Sequence, residues 1–137
     1  MRRFEAIEHA IADKWGSDPA VGVCRSILEY AVSKPAEESV MLTFGDFKKL
    51  AGADYDQEEL QRALAILVSR YHALEMRLVF MDEDEGPIYL EADEQQDFID
   101  TGKLTHPHRG VVVDGGEDRT FPYYVAKPQT LLEEVAA

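Results

Sequence analysis

The spacing of two histidines in this chain is the one that points most directly to a metal-binding site. His106 and His108 flank Pro107, and imidazoles two residues apart lie on one side of an extended backbone. That spacing occurs in metal sites. The intervening proline and the lack of an identifiable third ligand weaken the case for a metal site. The sequence therefore predicts surface-loop histidines, with no metal and no other cofactor.

Two glycine-containing segments resemble ligand loops only superficially. Asp114 to Asp118 places acids near glycines but lacks the alternating ligand spacing of a calcium loop, so a hairpin turn explains it better. In Thr101 to Thr105 the lysine is followed by Leu104, whereas a phosphate loop needs serine or threonine there. Neither segment predicts a binding site.

The single cysteine, Cys24, lies on the apolar face of a predicted helix. A buried structural thiol explains this position better than a nucleophile does. No serine elbow and no paired-carboxylate motif stands out elsewhere. The sequence therefore predicts a protein that is not an enzyme.

An acidic segment separates two apolar runs in the middle of the chain. Its four consecutive acids are Asp82, Glu83, Asp84 and Glu85. The flanking runs, Leu74 to Met81 and Ile88 to Ala92, alternate with the period of two that is typical of strands. The pattern predicts a β-hairpin whose tip carries the acids.

The negative charge is concentrated near this hairpin. Residues 82–100 hold 9 of the 27 acids and no base, in a chain of net charge −13. Such a concentrated excess indicates a local field that attracts a basic partner or repels nucleic acid. A solvated acidic loop and helix start is the alternative interpretation.

Composition indicates a globular protein of the reducing cytoplasm. The 137 residues are 45% hydrophobic and 30% charged, with 6 prolines. One cysteine permits no intrachain disulfide and no thiolate cluster. Acids at Glu5, Glu8 and Asp13 interrupt the N-terminal segment, which argues against a signal peptide, and no apolar run approaches the roughly 20 residues of a membrane span.

Helix signals dominate the first half of the chain. Periodic apolar residues predict helices over Arg2 to Lys14 and from Pro19 to before Lys34. Val40 to Leu42 is a predicted short strand. Thr43 with Asp46 predicts a capping box that opens a third helix. Asp56, with Glu59 at the reciprocal position, predicts the cap of a fourth helix that runs to Tyr71.

The second half changes to strand and turn signals. Asp93 is predicted to cap a short helix that runs through Ile99 and ends near Gly102. Arg109 to Asp114 and Thr120 to Lys127 predict a second hairpin around Gly115-Gly116, and Gln129 to Ala137 predicts a short helix. Tyr124 is a candidate contact residue, because tyrosine is enriched at interfaces.

The order of helix, short strand, helix, turn, helix and hairpin over residues 17–92 resembles the winged-helix family. Thr43 to Ala51 resembles the first helix of the helix-turn-helix, Asp56 to Tyr71 the recognition helix, and Leu74 to Ala92 the wing. The resemblance implies an α+β fold. Residues 1–92 would form a winged-helix-like domain with an extra N-terminal helix, and residues 93–137 an extension of short helix, β-hairpin and tail packed on that domain.

The resemblance also implies which residues would contact DNA. Gln61 and Arg62 could contact bases, and Lys48, Lys49 and Arg70 could contact phosphates. The acidic tip opposes this, since each like-charge approach to a phosphate at about 4 Å costs roughly 1 kcal/mol even in water.

The sequence therefore predicts a non-enzymatic accessory or regulatory subunit that works through protein–protein contacts. Its partner would carry a basic surface, or the chain would form a homodimer. The predicted interface residues are Asp82, Glu83, Asp84, Glu85 and Tyr124. The alternatives are a sequence-specific DNA-binding regulator and a DNA-mimicking inhibitor that occupies a nucleic-acid groove on another protein.

Overall fold

The computed structural model describes residues 1–52 and 56–136. Helices and an antiparallel sheet of order β1-β4-β2-β3 make up the fold, which confirms the predicted α+β class. The chain forms two compact units: Met1–Glu75 with Tyr124–Ala137 is the first unit, and Met76–Tyr123 is the second unit. None of the helices in the described ranges has the length and apolar character that a membrane span requires.

The first unit contains most of the helices. Its longer helices are α1 (Arg3–Trp15), α2 (Ala20–Val32), α3 (Phe44–Ala51) and α4 (Gln57–Ala65). The predicted capping box of α3 is confirmed, because the Thr43 hydroxyl accepts from the Asp46 N–H while the Asp46 carboxylate accepts from the Thr43 N–H. The Asp56 carboxylate caps α4, as predicted.

The fourth helix does not continue as an α-helix to Tyr71. Residues Ile66–Arg70 form a π-helical turn, in which the Tyr71 N–H donates to the Ile66 carbonyl at 3.2 Å. The Leu67 carbonyl then accepts from the N–H groups of Ala73 and Leu74. This wider turn keeps Ile66 and Leu67 buried while it leads the chain into β2 (Glu75–Asp82).

The core of the first unit also encloses the thiol of Cys24. The side chains of Ile27, Phe47, Leu60 and Leu67 are fully buried in the same cluster. The Cys24 thiol is 1% exposed and donates weakly to the Ala63 carbonyl at 3.7 Å. Burial raises the pKa of Cys24 to about 12, so the thiol stays protonated at neutral pH. The predicted buried structural thiol is confirmed.

The second unit contains the predicted acidic hairpin, which is confirmed. Strand β2 pairs with β3 (Gly86–Tyr89), with Val79 opposite Tyr89 and Met81 opposite Pro87. Helix α5 (Ala92–Thr101) follows, with Gly102 as its C-cap, as predicted. Its N-cap is Glu91, so the prediction that Asp93 caps this helix is wrong. The hydrophobic core cluster of this unit consists of Leu78, Phe80, Ile88, Leu90 and Leu104.

The predicted second hairpin is wrong. Strand β4 (Thr120–Ala126) pairs with β1 (Val40–Leu42), where Leu42 lies opposite Tyr124. The segment 109–114 forms no strand, and its Val112 makes only an isolated bridge with Thr105. Val111 and Val112 are about 60% exposed, so the alternating pattern in this segment does not mark a buried face.

The C-terminal helix is shorter than predicted. Helix α6 spans only Pro128–Leu131; Leu132 and Glu133 then form a turn and a bend, and Glu134 makes an isolated bridge with Arg2. The Val135 N–H donates to the Met1 carbonyl at 2.9 Å, and the Arg3 N–H donates to the Glu133 carbonyl at 2.8 Å. These bonds connect the C-terminal segment to the start of α1.

Candidate functional site

The hairpin tip is shaped by one of its own acids. The Asp82 carboxylate accepts from the backbone N–H groups of Asp84 at 3.1 Å and Glu85 at 2.9 Å. Gly86 follows with a φ of 76°, a conformation that glycine adopts without strain. Asp82 is therefore held in one position by the turn that it caps.

Each acid of the tip contacts a basic or imidazole group of the second unit. The contacts are Asp82–His106 at 3.2 Å, Glu83–Arg119 at 3.0 Å, Asp84–Arg109 at 3.3 Å and Glu85–His108 at 2.9 Å. Glu83 and Asp84 are 82% and 76% exposed, so their ion pairs contribute little to stability. The local field is consequently weaker than the run of four acids alone indicates.

His106 is buried, and its prediction as a surface-loop histidine is wrong. The imidazole is 2% exposed and packs edge-on against Phe80, with ring centroids 5.8 Å apart. Contacts with the hairpin, distant in sequence, cover this loop residue. His108 is 58% exposed, which agrees with the prediction for that residue.

Hydrogen bonds assign the tautomer of His106. The His106 Nδ1 accepts from the His108 backbone N–H at 3.1 Å, so the neutral ring carries its proton on Nε2. That Nε2 faces Asp82 Oδ1 at 3.2 Å and Glu85 Oε2 at 3.5 Å. A buried imidazole is thereby aimed at two carboxylates.

The pKa of Asp82 lies below its ordinary value. The largest cause is the hydrogen bond from the Glu85 backbone N–H, and the bonds from Asp84 and His106 act in the same direction against burial. The Asp82 carboxylate therefore stays ionised at neutral pH.

The tip and the histidine loop together could hold a cation. One ligand atom each of Asp82, Glu85 and His106 lies within 4.8 Å of the others. Sequence patterns did not identify these carboxylates as partners of His106. The available signal was the spacing of Asp82 and Glu85, three residues apart at a tight turn.

A second acidic group has a structural explanation. Glu91, Asp93 and Glu94 also bring carboxylate oxygens within 4.8 Å of one another, at the start of α5. The Glu94 carboxylate accepts from the Glu91 N–H at 2.9 Å in a capping box. Acids are favourable at this end of a helix because of its dipole.

The residues proposed for DNA contact lie in the first unit. Gln61, Lys49 and Arg70 are exposed. The Lys48 ammonium lies 5.4 Å from the ring centroid of Phe44. The Arg62 guanidinium donates to Asp18 Oδ1 at 2.9 Å, so a base contact would have to compete with that ion pair. DNA binding by these residues stays a prediction.

The Asp18–Arg62 pair leads to a prediction about pH. The Arg62 hydrogen bond and then the Ala20 N–H lower the pKa of Asp18 below its ordinary 3.8. A depressed pKa stabilises the folded state above that ordinary value, and the contribution disappears as the pH falls through the folded-state pKa. We expect Asp18→Asn to unfold at lower urea concentration at neutral pH and to match wild type in strong acid.

An exposed acid on α1 supplies the control for this prediction. Asp13→Asn removes the same charge from the same unit. It should change the urea midpoint less than Asp18→Asn does at neutral pH. An Asp18→Asn deficit that persists unchanged in strong acid would contradict the role of the ion pair.

Tyr124, the other candidate interface residue, packs inside the first unit. Its ring lies 5.3 Å from that of Phe47 in an edge-on arrangement, and burial raises the pKa of the Tyr124 hydroxyl. On the other face of β4, Phe121 is 48% exposed, whereas Tyr123 and Val125 are buried. A role of Tyr124 in an interface stays a prediction.

Apolar side chains of the hairpin that the sequence analysis did not single out are exposed. Met81 is 41% exposed and Tyr89 is 50% exposed. The Tyr89 ring contacts that of Tyr123 edge-on, with centroids 5.4 Å apart. Alternation along β2 was the signal that could have identified this face, since Val79 and Met81 must point away from Leu78 and Phe80.

Comparisons with protein-family models, with curated proteins and with solved structures found no match for this chain. The winged-helix resemblance therefore rests on the order of elements.

Proposed function

We propose that this chain is a non-enzymatic, cytoplasmic interaction module that forms a homodimer through the outer face of its hairpin. The observation that carries the proposal is the exposure of Met81, Tyr89 and Phe121, at 41%, 50% and 48% respectively. Large apolar side chains that share one exposed face mark interaction surfaces.

Strand register supports placing these side chains on one face of the second unit. Met81 lies opposite Pro87, and Val79 lies opposite Tyr89. Directly opposed residues of an antiparallel pair point to the same side. The Tyr123 ring contacts Tyr89, so Phe121, two residues earlier on β4, shares that side. We call this side the outer face; its residues are Val79, Met81, Pro87, Tyr89, Phe121 and Tyr123.

The opposite side of the hairpin is already covered. Leu78, Phe80 and Ile88 point there and form a buried cluster with Leu104. An antiparallel sheet with one face on its core ordinarily presents polar residues on the other. The outer face departs from that pattern, because apolar and aromatic residues occupy it.

A second copy of the chain is the partner that best fits this face. Its central side chains are uncharged, so two chains of net charge −13 can meet there without opposing acids.

Packing of faces is favoured over pairing of edges. Strand β3 is an edge of the sheet, and its four residues include Pro87. Proline has no N–H to donate, so it disrupts the addition of a further strand.

The proposal includes a winged-helix fold in which this hairpin is the wing, and a role as an accessory or regulatory subunit of a larger complex.

Sedimentation over a range of concentrations tests the proposal. We expect wild type to be dimeric and the double variant Tyr89→Ser, Phe121→Ser to be monomeric at the same concentration. Each truncated aromatic at the centre of an interface costs about 2 kcal/mol or more, which is a weakening of about thirtyfold. Circular dichroism would verify that the variant is folded.

Ile99 on α5 provides the matched control. It is 52% exposed and does not belong to the outer face. Ile99→Ser should therefore leave the dimer unchanged. A wild type that stays monomeric at every concentration, or a folded double variant that stays dimeric, would refute the proposed homodimer.

A further inference from the structure

We propose that Asp82, Glu85, His106 and His108 form a binding site for one divalent first-row transition-metal ion of the zinc type. The relevant distances join ligand atoms of the second unit. His106 Nε2 lies 3.2 Å from Asp82 Oδ1 and 3.5 Å from Glu85 Oε2. His108 Nδ1 lies 2.9 Å from Glu85 Oε1.

These separations fit a single ion. Zinc binds nitrogen and oxygen at about 2.0–2.2 Å, and tetrahedral angles then place neighbouring ligand atoms roughly 3.4 Å apart. The His106–Asp82 and His106–Glu85 separations of 3.2 and 3.5 Å lie on either side of that spacing. The ligand atoms of Asp82, Glu85 and His106 already lie within 4.8 Å of one another, whereas His108 contacts Glu85 and would have to move toward the ion to bind it.

The ligand types select the class of ion. Magnesium and calcium take oxygen ligands, whereas imidazole favours zinc and its first-row neighbours. Two carboxylates would balance the charge of a divalent ion. A set of two imidazoles and two carboxylates therefore fits a zinc-type ion better than it fits calcium.

Burial separates this cluster from an ordinary acidic surface. The side chains of His106 and Asp82 are only 2% and 8% exposed, and the turn hydrogen bonds hold Asp82 in place. Glu85 and His108 are 41% and 58% exposed. The site thus has a buried inner half and an open outer half through which an ion could enter.

Coordination would leave a signature on the His106 ring. An ion on Nε2 requires the proton now on Nε2 to move to Nδ1, where the His108 backbone N–H currently donates at 3.1 Å. Two N–H groups cannot face each other, so the His108 amide must give up this hydrogen bond. Loading should therefore change the nitrogen shifts of the His106 ring and the amide signal of His108.

Calorimetric titration of the whole chain with zinc chloride tests the site, with magnesium and calcium chloride as comparison salts. We expect one zinc ion per chain and much weaker binding of the other two ions. Glu85→Gln and His108→Ala should each weaken zinc binding by more than about tenfold. Both positions are partly exposed, so these variants should fold.

Asp93→Asn is the matched control, because Asp93 belongs to the other group of closely spaced carboxylates. It should leave zinc affinity within about twofold of wild type. The absence of zinc binding, unchanged affinity in Glu85→Gln and His108→Ala, or calcium binding as tight as zinc would each overturn the proposal. An unchanged His108 amide signal on saturation would also exclude coordination by His106 Nε2.

Discussion

Phe80→Ala is expected to lower the stability of the second unit by about 3–5 kcal/mol, the usual cost of truncating a buried phenylalanine. Phe80 is fully buried, its ring packs against His106, and the Arg119 guanidinium lies 5.5 Å from its centroid. Only five buried residues form the core cluster of this unit. A cavity in so small a core removes a large share of its apolar contacts.

Hydrogen exchange resolved by mass spectrometry measures this effect within each unit. We expect faster exchange in residues 76–123 of Phe80→Ala and near-normal protection of the helices in the first unit. Phe47→Ala is the matched control, because Phe47 is equally buried in the core of the first unit. An equal loss of protection in both units of Phe80→Ala would contradict the expectation that this substitution destabilises mainly the second unit.

Gly116→Ala is expected to cost about 1–3 kcal/mol by overpacking the second unit. A Cβ at Gly116 would lie 3.0 Å from the Cβ of Leu104 and 3.1 Å from the Cβ of Val113. Cβ positions are fixed by the backbone, so a change of rotamer cannot relieve these contacts. The backbone of one segment must move instead.

The opposite effect is expected at a glycine with open space around it. Gly22 lies in α2, and no atom outside its local backbone would lie within 4 Å of an added Cβ. Gly22→Ala should raise stability by about 0.5–1 kcal/mol, because alanine loses less conformational entropy in a helix. Urea unfolding measures both variants, and wild-type stability of Gly116→Ala would contradict the overpacking argument.

Local signals correctly predicted where the third and fourth helices start, and they predicted the acidic hairpin. The third helix is capped by Thr43 and Asp46, and the fourth helix is capped by Asp56. Each of these side chains lies within three residues of the backbone groups that it satisfies. The hairpin likewise depends on alternation and a turn within one continuous segment. Such interactions can be inferred because their partners are neighbours in sequence.

Long-range pairing could not be predicted in the same way. The alternation of Thr120–Ala126 correctly indicated a strand but did not identify its partner, and β1 lies far away in sequence. Three-residue strands such as Val40–Leu42 carry little pairing information of their own. Sequence nearness therefore favours Arg109–Asp114 as the partner of β4, and this prediction is wrong.

The candidate metal site illustrates the same limit. The acids and the histidines were each conspicuous, yet they were interpreted as two unrelated surface motifs. His106 and Asp82 are 24 residues apart, and their contact depends on the course of the chain after α5. A loop histidine becomes buried only when a distant segment covers it, which no local pattern of residues records.

The first unit is discontinuous in sequence, and this has a consequence during synthesis on the ribosome. Residues 76–123 are contiguous and can begin to fold as soon as they emerge. Strand β1 is translated before the second unit, whereas its partner residues Tyr124–Ala126 are translated after it. The edge of β1 must therefore wait without its native partner while the second unit is made, and a nascent-chain chaperone would have most to protect in that interval.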